Sequence, residues 1–256
     1  TAGYSGNNGM ILDVSLLNGI GVNPNVPTVN VGPGCNFGNF NKAIEAFDLH
    51  APGGACPDVC QGGYMQGGGY GFTARMFGMH CDQPELSFVM LANGRIVEAS
   101  PTVNSDLFWA IRGGTGNNFG VLLNTVIPLR RGATFNGFSI RWQLTGDSGV
   151  SDAANALTWL QENFIRTATP DLGFQMMWVF EGPDMGPKVP YFLIRGMYDG
   201  SEAQMLDTLA PVLALAGATL QYTTGPMVYS ALNEHLLTQP YEIPEFPPNI
   251  VPFPPM

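Results

Sequence analysis

Charged residues are scarce in this chain, and basic residues are the scarcest. Only 12% of the 256 residues are charged, against about 25% in an average globular protein. Ten residues are Lys or Arg and 20 are Asp or Glu, so the formal net charge is −10 at pH 7. Phosphate groups are bound by clustered basic side chains, so this deficit argues against a nucleic-acid partner and against an anionic membrane surface.

Long apolar runs and metal-binding motifs are also lacking. The longest apolar stretch, residues 209–218, is broken by a proline and a glycine, so we expect no transmembrane helix. The 3 histidines lie far apart and the 4 cysteines form no Cys-x-x-Cys motif, so we expect no metal site. Four cysteines are too few for a disulfide scaffold at this length. The sequence leaves open which of them pair: Cys35, Cys56, Cys60 or Cys81.

Glycine and proline are abundant, with 33 and 21 residues. The glycines follow no three-residue period, which excludes collagen, and the 45% of hydrophobic residues is too high for a disordered chain. We therefore expect a globular protein with a sizeable core and many turns.

The first half of the chain alternates short apolar segments with turns. Arg130-Arg131-Gly132 marks a shift in composition, which we interpret as a domain boundary. Spacing predicts helices over 39–49 and 106–111 and a hairpin turn at Asn93-Gly94. The predicted strands are Met10–Leu17, Val26–Val31, Leu86–Leu91, Arg95–Ala99 and Val121–Leu129.

The second half follows the order strand-helix-strand-strand-helix-strand. The predicted strands are 135–144, 172–180, 190–198 and 219–223, and the predicted helices are 151–166 and 201–216, with Ser201 and Gln204 in capping-box positions. This order is typical of the split ferredoxin-like motif, so we predict an α+β fold whose antiparallel sheet carries helices on one face and has the other face free. Residues 239–256 contain seven prolines and are predicted to form an extended tail.

Residues 52–71 are the segment most suggestive of a binding site, with eight glycines in twenty positions. Clustered glycines let backbone N–H groups approach a ligand, commonly a pyrophosphate, without a Cβ in the way. The strand, G-x-G-x-x-G and helix of a Rossmann site are absent. A tight glycine loop with no ligand is the alternative interpretation of this segment.

Three runs make the pattern specific: Gly-Tyr-Met-Gln-Gly-Gly-Gly at 63–69, Asp-Leu-Phe-Trp-Ala-Ile-Arg-Gly-Gly at 106–114 and Phe-Gly-Val at 119–121. With them the chain resembles the berberine bridge enzyme-like FAD-linked oxidases of the vanillyl alcohol oxidase or PCMH-type FAD-binding superfamily. The resemblance implies part of a PCMH-type FAD-binding domain, its second subdomain, at 1–131 and a substrate-type α+β domain at 132–238. It also implies that the family's N-terminal flavin subdomain and C-terminal segment are lacking here.

The resemblance further implies that FAD binds in the glycine-rich segment, linked covalently through Cys56, with another ligand in its place as the alternative. The implied contacts are Cys56, Pro57, Val59, Cys60, Gly62, Gly63, Tyr64, Gly67, Gly68, Gly69, Phe119, Gly120 and Val121. Cys60 stands where the family has glycine. The family's flavin-linking histidine and catalytic base have no counterpart in this sequence, so no catalytic residue is assigned. A free thiol buried in the core is the alternative for Cys56.

Two functions of different classes follow. The first is an FAD-dependent oxidase, or a piece of one, that oxidises an alcohol, a sugar or a similar small molecule with O2 as acceptor. The second is a non-enzymatic protein that binds a ligand or chromophore on the same scaffold. We expect a second copy or a companion fragment to cover apolar surface on residues 9–50. Secretion is expected because the family is largely secreted.

Overall fold

The computed structural model describes residues 10–116, 118–181 and 188–238. The chain divides between Ala133 and Thr134 into two compact units, called unit 1 and unit 2 below. The predicted tail at 239–256 lies outside the described residues. None of the described helices is long and apolar enough to cross a membrane.

Unit 1 is built on a five-stranded antiparallel sheet. Its elements are β1 (Ile20–Asn23), β2 (Thr28–Val31), α1 (Phe37–Glu45), β3 (Leu49–His50), α2 (Gln61–Gln66), α3 (Ala74–Phe77), β4 (Leu86–Met90), β5 (Ile96–Ala99), α4 (Ser105–Ile111), β6 (Val121–Pro128) and β7 (Arg130–Arg131). The sheet has the order β1-β2-β6-β4-β5, and β3 pairs with β7 in a separate two-stranded ladder. Two of these helices, α2 and α3, lie in or next to the segment predicted as a glycine-rich loop.

Helix α1 forms because its N-terminus is capped and one face is apolar. The Asn36 side chain accepts a hydrogen bond from the Asn39 N–H at 2.9 Å, and Phe37, Phe40 and Ile44 are fully buried in the core. The helix ends at Glu45 rather than at residue 49 as predicted. The chain turns left-handed at Asp48, with φ 55°, and enters β3.

The strand predicted at 10–17 is wrong. The Asp13 carboxylate accepts a hydrogen bond from the Ser15 N–H at 2.8 Å, and the Leu17 N–H donates to the Val14 carbonyl at 2.9 Å. These bonds fold the segment into a turn, and a turn of this kind cannot pair as a strand. Its apolar side chains are therefore exposed, including Met10 and Leu16.

Unit 2 has the predicted order of elements around an antiparallel sheet. Its elements are β8 (Thr134–Gln143), α5 (Gly146–Trp159), β9 (Leu172–Glu181), β10 (Val189–Tyr198), α6 (Glu202–Leu213), β11 (Thr219–Thr223), β12 (Met227–Val228) and α7 (Tyr229–Thr238). A single π-helical turn, Leu160–Phe164, continues α5. The sheet order β11-β8-β10-β9 is that of the split ferredoxin-like motif. The α+β class with antiparallel sheets is confirmed.

Helices α5 and α6 cover one face of this sheet, as predicted. Alternate residues of β8, namely Phe138, Ile140 and Trp142, share one buried cluster with Ala156 of α5 and Leu209 of α6. Trp142 also donates its indole N–H to the Ala216 carbonyl at 3.0 Å. The alternately buried residues of the strand and the apolar faces of the two helices thus pack into one core.

Helix α7 was not predicted, and it lies on the opposite face, which is therefore not wholly free. A Cβ on Gly137 would lie 2.5 Å from the Leu232 Cδ1, so the helix approaches β8 closely at this glycine. The Arg195 guanidinium of β10 donates to the Leu236 carbonyl near the end of α7. The sheet of unit 2 consequently has helices on both faces.

The cap of α6 gives a first test of the sequence interpretation. The Ser201 hydroxyl accepts from the Gln204 N–H at 3.3 Å, and the Ser201 N–H donates to the Gln204 Oε1 at 3.0 Å. We expect Ser201→Ala to lower the free energy of unfolding by about 1 kcal/mol, because the first turn of α6 loses this partner. Urea denaturation followed by circular dichroism measures the loss.

Ser151→Ala is the matched control for this experiment. The predicted helix begins at residue 151, but α5 begins five residues earlier, at Gly146. Gly149 makes this earlier start possible, since a Cβ there would lie 2.4 Å from the Gln143 carbonyl oxygen. Ser151 is thus inside the helix, where alanine is the better helix former, and the control should not be destabilised. Equal losses in both variants would contradict the capping role of Ser201.

Candidate functional site

The segment between β3 and α2 is held by the N-terminus of α1. The Phe37 N–H donates to the Val59 carbonyl at 3.0 Å and the Gly38 N–H donates to the Pro57 carbonyl at 2.9 Å. These bonds use donors that the first turn of a helix always has free. The loop over residues 52–60 therefore has a defined course, with Cys56 just before its two anchored carbonyls.

Cys56 and Cys60 are exposed free thiols on this loop, and Cys35 and Cys81 are buried free thiols. The buried alternative for Cys56 is thus not what the structure shows. The Cys60 Sγ donates to the Gly34 carbonyl at 3.4 Å, whereas Cys56 extends into solvent. Burial raises the pKa of the Cys35 thiol, which keeps it protonated. Cys56 is consequently the thiol best placed to meet a ligand.

Tyr64 of α2 is locked by its neighbours. A Cβ on Gly54 would lie 3.1 Å from its ring and a Cβ on Gly69 would lie 2.3 Å from it, so both glycines make room for the tyrosine. The ring packs edge-on against Phe37, with centroids 4.8 Å apart, and the hydroxyl donates to the Tyr70 carbonyl. Burial raises the pKa of this phenol, so Tyr64 remains neutral and serves the loop's own structure.

The glycines implied in cofactor binding fall into two groups. Gly62 is required by packing, because a Cβ would lie 2.3 Å from the Pro33 Cβ, and Gly68 and Gly69 have φ of 105° and 81°. Gly63 has nothing within 4 Å of its Cβ position, and at Gly67 the nearest atom is 3.5 Å away. Both are exposed. The fold does not require glycine at these two positions, so they are the points where a flat ligand could approach the backbone.

His80 is buried beneath this loop. Its Nδ1 lies 2.6 Å from the Pro52 carbonyl oxygen and its Nε2 lies 3.3 Å from the Gln61 Oε1. The Gln61 side-chain amide also donates to the Gly32 carbonyl at 3.2 Å. Burial lowers the pKa of His80 to about 4, so the ring is neutral at pH 7. Sequence spacing carries no signal for these contacts.

The second glycine-rich segment, residues 112–120, touches the first. The Thr115 N–H donates to the Gln66 carbonyl at the end of α2, at 2.9 Å. Within this segment Phe119 is 41% exposed. Gly120, with φ 136°, lies against Val89, and Val121 begins β6. The structure thus brings this segment to the end of α2, and Thr115 is a contact that the sequence analysis missed.

Unit 1 also has a cavity of about 440 Å³. It is open and is lined by residues around the β3–β7 ladder, including His50, Pro52, Phe77, Leu129, Arg130 and Arg131. None of the thirteen implied FAD contacts lines it. These contacts lie instead between residues 56 and 69 and at residues 119–121. Among the described residues, no three His, Cys, Asp or Glu side chains are grouped so that they could hold a metal ion.

Comparison with known proteins finds similar sequences and structures. Residues 1–100 match the family model of the FAD binding domain. Berberine bridge enzyme-like 16 of Arabidopsis thaliana is 38% identical over 125 residues, which cover 48% of this chain and 23% of the relative. The chain is a homologue of the berberine bridge enzyme-like FAD-linked oxidases.

Two further proteins match a larger part of the chain. An FAD-linked oxidoreductase of Aspergillus terreus is 31% identical over 216 residues, 83% of this chain and 42% of the relative. The solved xylooligosaccharide oxidase from Myceliophthora thermophila C1 in complex with xylobiose superposes with a TM-score of 0.72 at 26% identity, covering 87% of this chain and 45% of that chain. The chain spans less than half of the length of each of these proteins.

Proposed function

We propose that the protein is an FAD-dependent oxidase acting on a sugar or another small alcohol, with O2 as the electron acceptor. Residues 1–131 would form the FAD-binding-type domain and residues 132–238 the substrate-type domain. One observation carries the proposal. An exposed thiol, Cys56, lies on a loop with anchored backbone, and the next helix presents glycine positions that the fold itself does not need.

The residues present fit a flavin. Cys56 would hold the isoalloxazine ring through its sulfur, and Gly63 and Gly67 would let a planar group lie against the backbone. A Cβ would have open space at Gly63 and only ordinary contacts at Gly67. Pro57, Val59 and Phe119 are exposed and apolar, which suits the edge of an aromatic ring. Bound FAD supplies the redox chemistry, taking two electrons from the substrate carbon and passing them to O2. The chain's own residues bind it and orient it.

The substrate class follows from the relatives. The proteins named for xylooligosaccharides and the bound xylobiose support a short oligosaccharide as substrate. Secretion is proposed on the same basis. The exposed apolar side chains of residues 10–16 support the further proposal that a second copy or a companion fragment covers this surface.

The flavin link is the direct test of the proposed function. We expect the purified chain supplied with FAD to show the paired flavin bands in the blue and near ultraviolet, and to keep the flavin after denaturation. Cys56→Ala should release all of the flavin on denaturation. Cys60→Ala, which removes the other exposed thiol four residues away, should keep it. Absorbance of the denatured, desalted protein measures the retained fraction.

Two results would contradict the proposal. A wild-type chain that binds no FAD, or that shows a different chromophore, favours the ligand-binding alternative. Retention of flavin by denatured Cys56→Ala would show that another residue forms the covalent link.

A further inference from the structure

His80 contacts the glycine-rich segment at three separate places. Its ring nitrogens lie 2.6 Å from the Pro52 carbonyl oxygen and 3.3 Å from the Gln61 side chain. Its backbone N–H donates to the Gly69 carbonyl at 2.8 Å. Pro52 begins this segment, Gln61 begins α2 and Gly69 ends the glycine triplet. One residue thus joins the beginning, the middle and the end of the segment.

Cys56 lies between two anchors of different origin. On its C-terminal side, the α1 N–H groups hold the carbonyls of Pro57 and Val59. On its N-terminal side, the His80 ring holds the carbonyl of Pro52. With both anchors the four residues from 53 to 56 have a fixed start and a fixed end, and loss of the His80 ring removes the side-chain hydrogen bond at the start.

We propose that His80 is a positioning residue for the flavin-binding loop, holding the Pro52 carbonyl and packing against Gln61 so that Cys56, Gly63 and Gly67 keep the arrangement that receives FAD. The FAD part of this inference rests on the proposed function. The part that concerns loop order does not.

The surroundings of His80 favour this role. The ring is 1% exposed and lies among Phe37, Phe40 and Tyr64, with centroid distances of 5.3, 6.0 and 5.7 Å. Removal of the ring takes away the side-chain donor to the buried Pro52 carbonyl. The neutral ring carries one N–H, and the Pro52 carbonyl can only accept, so the proton belongs on Nδ1. The Nε2 then has no proton and lies next to the Gln61 Oε1 without donating to it.

Two variants separate the ring's hydrogen bond from its bulk. His80→Ala removes both. His80→Asn keeps an N–H close to the position of Nδ1 and can still donate to Pro52. His50→Asn is the matched control, because His50 is the other buried histidine of unit 1 and its Nε2 lies 3.0 Å from the Thr73 Oγ1, away from residues 53–71.

Hydrogen exchange and FAD titration together test the inference. In the chain without FAD, we expect His80→Ala to speed amide exchange of residues 53–56 at least about tenfold relative to the rest of unit 1, in line with the loss of one buried hydrogen bond. His80→Asn should recover most of the protection. FAD affinity, measured by quenching of flavin fluorescence in the Cys56→Ala background where no covalent link forms, should fall at least about tenfold in His80→Ala and recover in His80→Asn. His50→Asn should change neither the exchange of residues 53–56 relative to the rest of unit 1 nor the affinity for FAD.

The inference is overturned if exchange in His80→Ala rises equally over all of unit 1, or if His50→Asn produces the same local change. If His80→Ala does not fold, an unchanged exchange pattern in His80→Gln, which lacks a donor at the Nδ1 position, overturns it instead. If the wild-type chain binds no FAD, the proposed function fails. The hydrogen-exchange measurement on the chain without FAD then still decides whether His80 holds the loop in one conformation.

Discussion

Gly62→Ala is expected to unfold or strongly destabilise unit 1, whereas Gly63→Ala, one residue further along the same helix, is expected to stabilise it. A Cβ at position 62 would lie 2.3 Å from the Pro33 Cβ and 2.6 Å from the Pro33 Cα, and the backbone at 62 is tied to Pro33 by an N–H to carbonyl bond of 3.1 Å. The helix would have to move away from its partner, at a cost of about 3 kcal/mol or more. Position 63 has open space, and alanine there improves helix propensity by about 1 kcal/mol.

The same pair of variants separates folding from ligand binding. If FAD lies against α2, Gly63→Ala should bind it at least about tenfold more weakly even though the free chain is more stable, because the new methyl group occupies the approach to the backbone. Thermal denaturation gives the stability of each variant. A flavin titration gives the affinity when each variant is combined with Cys56→Ala, which prevents the covalent link. Unchanged affinity in Gly63→Ala would place the flavin elsewhere, and a normal melting temperature in Gly62→Ala would contradict the packing against Pro33.

The sequence does not predict which glycines are required by packing, such as Gly62, and which are not, such as Gly63. Eight glycines in twenty residues indicate a loop that a ligand can approach, and the family resemblance names the loop. The sequence does not tell which glycine has a neighbour, because that neighbour, Pro33, is about thirty residues earlier in the chain. Helix α2 was missed for a related reason. Glycine is a poor helix former, and tertiary contacts override that preference here.

Unit 2 was more predictable, since its signals are local. Alternation along β8 and the capping box at Ser201 lie within single elements, and both appear in the structure. Helix α7 also had a signal that was not used, since Tyr229, Leu232 and Leu236 recur at helical spacing and are all buried. His80 had no such signal. Its partners Pro52 and Gln61 lie 28 and 19 residues away, and only the fold brings them to its ring.

Acidification from pH 7 to pH 5 is expected to cost unit 1 several kcal/mol of stability through two buried histidines. Burial lowers the pKa of His50 to about 3 and that of His80 to about 4, and the nearby Arg130 lowers the pKa of His50 further. In the unfolded chain both titrate near 6.5. Below about pH 6.5 the two histidines therefore bind protons in the unfolded state but not in the folded state. The free energy of unfolding falls as the pH falls, until the pH reaches the folded-state pKa values near 4 and 3.

The expected size follows from the same values. With both histidines contributing, the free energy of unfolding should drop by about 4 kcal/mol between pH 7 and pH 5, a range that lies above the titration of ordinary carboxylates. Urea denaturation followed by circular dichroism at both pH values measures it. His80→Asn and His50→Asn should each remove about half of this pH dependence, whatever they cost at pH 7, because asparagine takes up no proton. The double variant His50→Asn/His80→Asn should lose the pH dependence of the free energy of unfolding. If it keeps the full wild-type dependence, other groups cause it, and these two rings can accept protons within the folded unit.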